Sequence, residues 1–398
     1  MLSLPLLSAA LLAAAQTASA CQQTTDVPPI FWLANLRNST STVVGKTANV
    51  LASEPGMRLI RFEEGQAPVP ITASEKEALE RSGYRYFDVT EVDLEAEAST
   101  ARVASSVAKI TVPSGPTHQS VVNPIIATLS QSNLQSDLTA LTTYTTRYYR
   151  STSGATASND LYTKLSSIAA SNSLASVTKF THSWGQNSII AKIQGTNTAA
   201  ASIIAGAHLD SINQNNPSSG TSKGADDNGS GCINLIEAFR KLVASSFKPK
   251  TTIEFHWYSG EEAGLLGSAA VAKSYGLSKV GAYLNLDMTA WLQSGTTPQI
   301  GFVSDRTDSS LTAFTKKLVT EYLTGVIPTD DNCGYACSDH ASWYSLGAQT
   351  VYPFESITEY ENPNIHTAND VASLSQFSFA HAHEFTKLVV AFVVELAA

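Results

Sequence analysis

Charge is what this chain has least of. Asp, Glu, Lys and Arg make up 15% of its 398 residues, where a typical soluble domain carries about 25%. The basic kind is scarcer still, 25 Lys and Arg against 34 Asp and Glu, giving a net charge of −9. With no basic stripe to neutralise phosphates, nucleic acid is excluded as a partner. Beyond the N-terminal segment, no stretch approaches about 18 consecutive apolar residues, so no membrane association is expected of the mature protein. No internal repeat is visible. Cysteine is sparse too, limited to Cys21, Cys232, Cys333 and Cys337. Ser, Thr, Ala and Asn make up the difference, a composition common in secreted proteins.

The N-terminal segment explains that composition. An apolar run from Leu2 to Ala15 precedes Ala18-Ser19-Ala20, a cleavage site of A-x-A type, so residues 1–20 read as a signal peptide for secretion. Cys21 follows directly, but the Leu three residues upstream that a lipoprotein anchor needs is missing. Residues 21–108 are acidic, with Glu75, Glu77, Glu80, Glu91, Asp93, Glu95 and Glu97, and hold none of the ligand-type clusters found later. They read as a propeptide; an accessory domain kept in the mature chain is the alternative. Ser74-Glu75-Lys76-Glu77 suits a capped helix start, and Asn38-Ser39-Thr40 is a glycosylation sequon. In an oxidising compartment Cys333 and Cys337 are placed to pair, whereas Cys232 lies in an apolar helix pattern and reads as a buried thiol.

From residue 109 to 398 helical and strand patterns alternate. The spacing predicts helices over 123–149, 158–170, 231–243, 311–322 and 377–396. Strands are predicted at 177–184, 188–193, 202–207, 251–258, 280–286 and 349–353, the first two as a hairpin. This alternation predicts an α/β fold, a three-layer α/β/α sandwich around a central mixed, mainly parallel sheet, preceded by the prosegment. Polar clusters fall just past strand ends, where open α/β sheets place their sites.

In His208-Leu209-Asp210 the imidazole can ligate a metal while the carboxylate accepts its other N–H; alone, this pair is equally a polar loop. Asp226-Asp227 among glycines sets two carboxylates side by side, which repel unless a cation or donors compensate; a solvated turn is the plain alternative. Glu261-Glu262 after an apolar strand gives one carboxylate for metal and one for water, although acidic pairs also favour helix starts. Asp287 and His366 complete five chain-separated clusters. Zinc favours such ligands, and a two-metal hydrolytic site needs several of them plus one free carboxylate as base.

Taken in order, His208-x-Asp210, Gly224-Ala-Asp226-Asp227-Asn-Gly-Ser-Gly231, Ser259-Gly-Glu261-Glu262-x-Gly264, Leu286-Asp287-Met288, Cys333-Gly-Tyr335-Ala-Cys337-Ser338-Asp339-His340 and Ile365-His366-Thr367 resemble the secreted two-zinc leucine aminopeptidases of bacteria and fungi. The resemblance covers roughly residues 110–398. It implies two zinc ions per chain, with Asp226 bridging them, His208 and Asp287 on one, and Glu262 and His366 on the other. It further implies Glu261 as general base, Asp210 behind His208, Tyr335 as a donor to the developing oxyanion, and Asp227 as a loop support of unusual backbone geometry. Met288, Tyr352, Phe354 and Ile365 would line an apolar substrate pocket. The substrates implied are peptides with a free N-terminus, leucine-like residues preferred, and the expected assembly is a monomer. A zinc carboxypeptidase, a single-zinc glutaminyl cyclase and a metal-free receptor-like relative are the rival readings. The first lacks an Arg pair near the motifs, and the last should have lost ligands.

Overall fold

Alternation along the central strands sets the architecture. In the computed structural model, Ile203, Ala205 and Ala207 join one apolar core, whereas Ile204 between them joins another. Ile189 and Ala191 against Ile190, and Ala282 and Leu284 against Tyr283, divide in the same way. Successive strand side chains point to opposite faces, and a strand apolar on both must be covered on both. The structure describes residues 57–62, 67–72, 75–76, 79, 86–88, 109–245, 247–275, 279–334 and 336–398. These fall within one compact unit, Gly45–Ala398. The signal segment, Asn38, Ser74, Glu77 and Tyr335 lie outside the described residues.

Strands β1 (Met57–Arg61), β2 (Val69–Thr72) and β3 (Phe87–Asp88) form a small antiparallel sheet in the order β2-β1-β3. Next to it, Thr72 and Glu75 exchange the reciprocal bonds of a capping box, Glu75 N to Thr72 Oγ1 at 3.3 Å and Thr72 N to Glu75 Oε2 at 2.7 Å. The main sheet comprises β4 (Ala175–Phe180), β5 (Ser188–Ile193), β6 (Ser202–His208), β7 (Ile253–Tyr258), β8 (Val280–Asn285), β9 (Gln299–Val303), β10 (Ile327–Asp331) and β11 (Gln349–Phe354). Their order is β10-β9-β11-β8-β6-β7-β5-β4. The centre is parallel, β6 pairing with β7 and β8, and β8 with β11, while antiparallel pairs join β4 to β5, β5 to β7 and β9 to β11.

Helices α1 (Gln119–Ile126), α2 (Gln131–Leu141), α3 (Thr152–Ala169), α4 (Gly231–Ala244), α5 (Leu266–Ser274), α6 (Ser309–Tyr322), α7 (His340–Tyr344) and α8 (Phe379–Ala397) form the outer layers. On one face α8 packs against α1, α2, α4 and α6; on the other, α5 packs against α7. This is the expected three-layer sandwich with a mixed, mainly parallel sheet. One expectation fails locally: residues 123–149 are not one helix. Ser130 caps α2 by accepting from Asn133 N, and α2 stops at Leu141, after which four threonines between 142 and 146 favour local side-chain bonds over helix. The chain then extends so that Arg147, Tyr148 and Tyr149 enter the interior. Strands β9 and β10 and helices α5 and α7 had no sequence forecast.

Candidate active site

His208 is the last residue of β6, Glu261 and Glu262 follow β7, and Asp287 follows β8. The three parallel strands therefore deliver these side chains to one edge of the sheet. His366 comes from the loop after β11, in the left-handed backbone region at φ +58°. The loop from 225 to 230 enters between them. Its entry needs glycine: Gly224 has φ +51°, and a Cβ there would meet Asp227 O at 2.4 Å and Ser211 Cβ at 2.5 Å.

Asp227, not Asp226, stands at the centre. Its Oδ1 lies 3.1 Å from His208 Nε2 and its Oδ2 lies 3.0 Å from His366 Nε2. Asp287 Oδ1 is 3.2 Å from the same nitrogen of His208, and Glu262 Oε2 is 3.0 Å from that of His366. Ligand atoms of His208, Asp227 and Glu262 all fall within 4.8 Å of one another. Asp226 points the other way. Its Oδ1 accepts from Ala290 N at 3.0 Å and its Oδ2 from Asn362 Nδ2 at 3.1 Å, and it is fully buried. The role expected of Asp226 is therefore corrected: adjacent residues on a loop diverge, and here the second faces the histidines while the first anchors the loop. The peptide after Asp227 is cis, so the unusual backbone expected there coincides with the central carboxylate rather than replacing it.

Other functional residues had no sequence signal. Asp370 accepts from the amides of both Asp226 and Asp227, each at 3.0 Å, and fixes the direction in which the two side chains part. Glu355 accepts from Trp291 N at 2.8 Å and Asn362 N at 3.0 Å beside Asp226, while His381 Nε2 donates to the Glu355 main-chain oxygen at 2.7 Å. Arg147, fully buried, donates from Nε to Leu209 O at 2.7 Å, from Nη2 to Gly224 O at 2.9 Å and from Nη1 to Lys223 O, tying the His208 loop to the Asp227 loop. These partners lie far away in sequence, and no local pattern marks them.

Asp210 differs from its expected bond. The nearest acceptor for His208 Nδ1 is the main-chain oxygen of Asp210 at 3.2 Å, while its carboxylate is 3.7 Å away. That carboxylate accepts instead from Glu261 N at 3.0 Å and Glu262 N at 3.3 Å, so one residue orders three members of the cluster. Asp287 is held by Ser338 Oγ at 2.6 Å, and its main-chain oxygen accepts from Tyr352 OH at 3.0 Å.

Burial opposes charging of His208 and His366, yet the surrounding carboxylates, Asp287 and Glu261 for the first and Glu262 and Asp227 for the second, hold both imidazoles well above their usual pKa. Asp227, although buried, is kept well below the carboxylate range by hydrogen bonds from the two histidines. Burial, reinforced by the Asp227 charge, pushes Glu262 up to about 7. Burial also raises Glu261 well above its ordinary value, offset in part by the His208 charge. A carboxylate-rich cluster compensated only by two imidazoles, with Glu262 Oε1 buried and unpartnered among the described residues, suits a divalent cation by its donor set.

The cluster opens into a cavity of about 350 Å³. Met288, Tyr352, Phe354 and Ile365 line it, together with Val303, Leu265, Ile212 and both cysteines of the Cys333–Cys337 bridge. Tyr86, from the segment preceding β3, lines it as well. His340 Nε2 lies 3.0 Å from Asp305 O and its ring packs tilted at 37° against Tyr352, while the Asp305 carboxylate accepts from Cys333 N and Gly334 N at 2.8 and 3.1 Å. The bridged loop is thus pinned at the cavity rim. His256 is a satisfied core residue between Tyr258 OH and Glu254, and the Cys232 thiol is buried.

Comparison with known proteins accords with this geometry. The family model described as Peptidase family M28 matches residues 188–393. Leucine aminopeptidase 1 of Arthroderma gypseum is 40% identical over 342 residues, covering 82% of this chain and 89% of that one. Leucine aminopeptidase 1 of Neurospora crassa is 40% identical over 341 residues, covering 82% of each. Among solved structures, the LapA aminopeptidase of Legionella pneumophila superposes with a TM-score of 0.75 at 27% identity, covering 88% of this chain and 96% of that one. The chain belongs to peptidase family M28, as a metallo-aminopeptidase.

Proposed function

We propose that this chain removes N-terminal residues, leucine-like ones by preference, from peptides outside the cell, using two zinc ions. One observation carries the metal count: the two oxygens of Asp227 each face a different histidine, and each histidine has its own second carboxylate, Asp287 or Glu262. In this reading His208 and Asp287 would hold one ion and His366 and Glu262 the other, with Asp227 shared between them. Two zinc ions bound there would lower the pKa of water and polarise the scissile carbonyl.

The protein's own groups do the rest. Glu261 lines the cavity, and the carboxylates paired with the two histidines among the described residues are those of Asp210, Asp227, Asp287 and Glu262, so the Glu261 carboxylate is left to take a proton from water and return it to the leaving amine. Its raised pKa, a consequence of burial, makes it the stronger base for taking that proton. Tyr335, on the bridged loop, is assigned as donor to the developing oxyanion. Met288, Tyr352, Phe354 and Ile365 receive the substrate side chain, and their apolar character is what supports a leucine-like preference. Among the described residues lining the cavity none is Lys or Arg, which disfavours a carboxypeptidase that must anchor a terminal carboxylate. Residues 1–20 are assigned as the signal peptide and 21–108 as a propeptide, with Tyr86 supporting a part in covering the cavity.

Metal analysis of the purified protein, coupled to hydrolysis of leucine p-nitroanilide, tests the proposal. Expected are about two zinc ions per chain, no turnover after chelation, recovery on adding zinc, and no turnover of the N-acetylated substrate. A single zinc with cyclisation of N-terminal glutamine would instead select the glutaminyl cyclase reading.

A further inference from the structure

The two histidines of the cluster are supported in different ways. His208 has the main chain and carboxylate of Asp210 behind its Nδ1. Behind the Nδ1 of His366, at 2.5 Å, lies the side-chain amide of Gln214. Gln214 comes from the segment after Asp210 and is held to the His366 loop independently of its side chain, because its own N–H donates to His366 O at 3.0 Å. Nothing in the sequence motifs marks it.

A neutral imidazole carries one proton, and the partner of one nitrogen decides which nitrogen carries it. As the amide stands, its Nε2 faces Nδ1, an arrangement that suits only the neutral ring with its proton on Nε2, toward Asp227 Oδ2 and Glu262 Oε2. Half a turn about the last side-chain bond presents Oε1 instead. The acceptor then favours the proton on Nδ1 and leaves the Nε2 lone pair facing the two carboxylates, the form a metal ligand requires. An amide serves both forms by rotating; a carboxylate serves only the second, and an aliphatic side chain neither.

We propose that Gln214 is the positioning residue of His366, its amide oxygen accepting the Nδ1 proton so that Nε2 is presented to the metal position shared with Glu262 and Asp227. The inference rests on the two-metal reading given above. It also makes the two positions unequal: His208 Nδ1 faces the main-chain oxygen of Asp210, an acceptor that cannot turn away, whereas His366 Nδ1 faces a rotatable side-chain amide, so the His366 position should fill second and empty first.

The test is a Zn2+ titration of the chelator-stripped full chain, with a competing chelator to resolve each equivalent, in the unchanged protein, Gln214→Leu and Gln214→Glu. Leu nearly keeps the volume and retains the main-chain bond to His366 O. Removing such a supporting partner typically costs about 10- to 100-fold in metal affinity. Gln214→Leu should therefore weaken the second equivalent by about that factor and leave the first unchanged, while Gln214→Glu should restore or tighten the second. Equal second-equivalent affinity in all three proteins would overturn the proposal, as would a Leu variant that changes only KM, which would make Gln214 a substrate contact. Weakening of both equivalents in both variants would overturn it as well, pointing to general disturbance of the loop. If the unchanged protein took up a single ion, the two-metal reading would fall, and Gln214 would be judged on that ion: weakening by Leu with recovery by Glu supports it, indifference to both overturns it.

Discussion

Which of two neighbouring carboxylates faces the metal position is decided here by residues more than 60 positions away. Asp226 and Asp227 are chemically identical in the sequence, and the pattern that located the cluster could not rank them. Their division rests on Asp370, Ala290 and Asn362, which capture the loop amides and the Asp226 side chain. Such long-range hydrogen bonds leave no periodic trace, whereas His208, Glu261 and Asp287 were legible because each follows an apolar strand. Asp227→Asn should therefore release metal from both positions, while Asp226→Asn should act first on stability. Zinc analysis and melting curves of the two purified variants decide it, and an Asp226→Asn protein that folds normally without zinc would return the bridge to Asp226. Glu261→Gln should retain zinc and lose at least about 10²-fold in kcat, as for a removed general base. Equal loss of zinc from Glu261→Gln and Glu262→Gln would reject the division of roles.

Elements were readable in proportion to their periodicity. Strands β6, β7 and β8 and helices α4 and α8 stood out because long apolar patterns are dictated by burial. Edge strand β10 buries none of its five residues, and α7, though mostly buried, is too short at five residues to show a helical period. Helix α6 adds a local device to its apolar spacing: Asp308 accepts from Ser310 N and Leu311 N, each at 3.0 Å. Asp308→Ala should cost about 0.5–2 kcal/mol of stability, the usual range for a lost N-cap, with the exposed Lys109 pair adding little. A melting temperature unchanged by the substitution would show the cap to be redundant. The Cys333–Cys337 bridge closes a ring too small to restrain the unfolded chain strongly. Cys333→Ser with Cys337→Ser should accordingly lower turnover while shifting the melting temperature little. The opposite pattern, a large thermal loss at constant turnover per folded molecule, would assign the bridge to the fold.

For the molecule as a whole, the segment before residue 109 supplies its own small sheet and carries Tyr86 to the cavity. If it is a propeptide, the active species should begin between about Ala101 and Pro116, and limited proteolysis of the longer form should raise its rate. N-terminal sequencing of the active protein, with rates before and after trimming, checks both. An active enzyme beginning at Cys21 with no gain on trimming would make the segment an accessory domain.

The closing helix has a consequence for how the molecule is made. Residues 379–397 fill the layer over α1, α2, α4 and α6, and Lys250 N donates to Ala397 O at 2.7 Å in the last turn of that helix. The ribosome delivers this helix after every element it covers, just behind the loop that carries His366 and Asp370. The nascent chain therefore cannot close its interior until residue 397 has been made, and a stop anywhere upstream of residue 379 should yield aggregated product rather than a weakened enzyme.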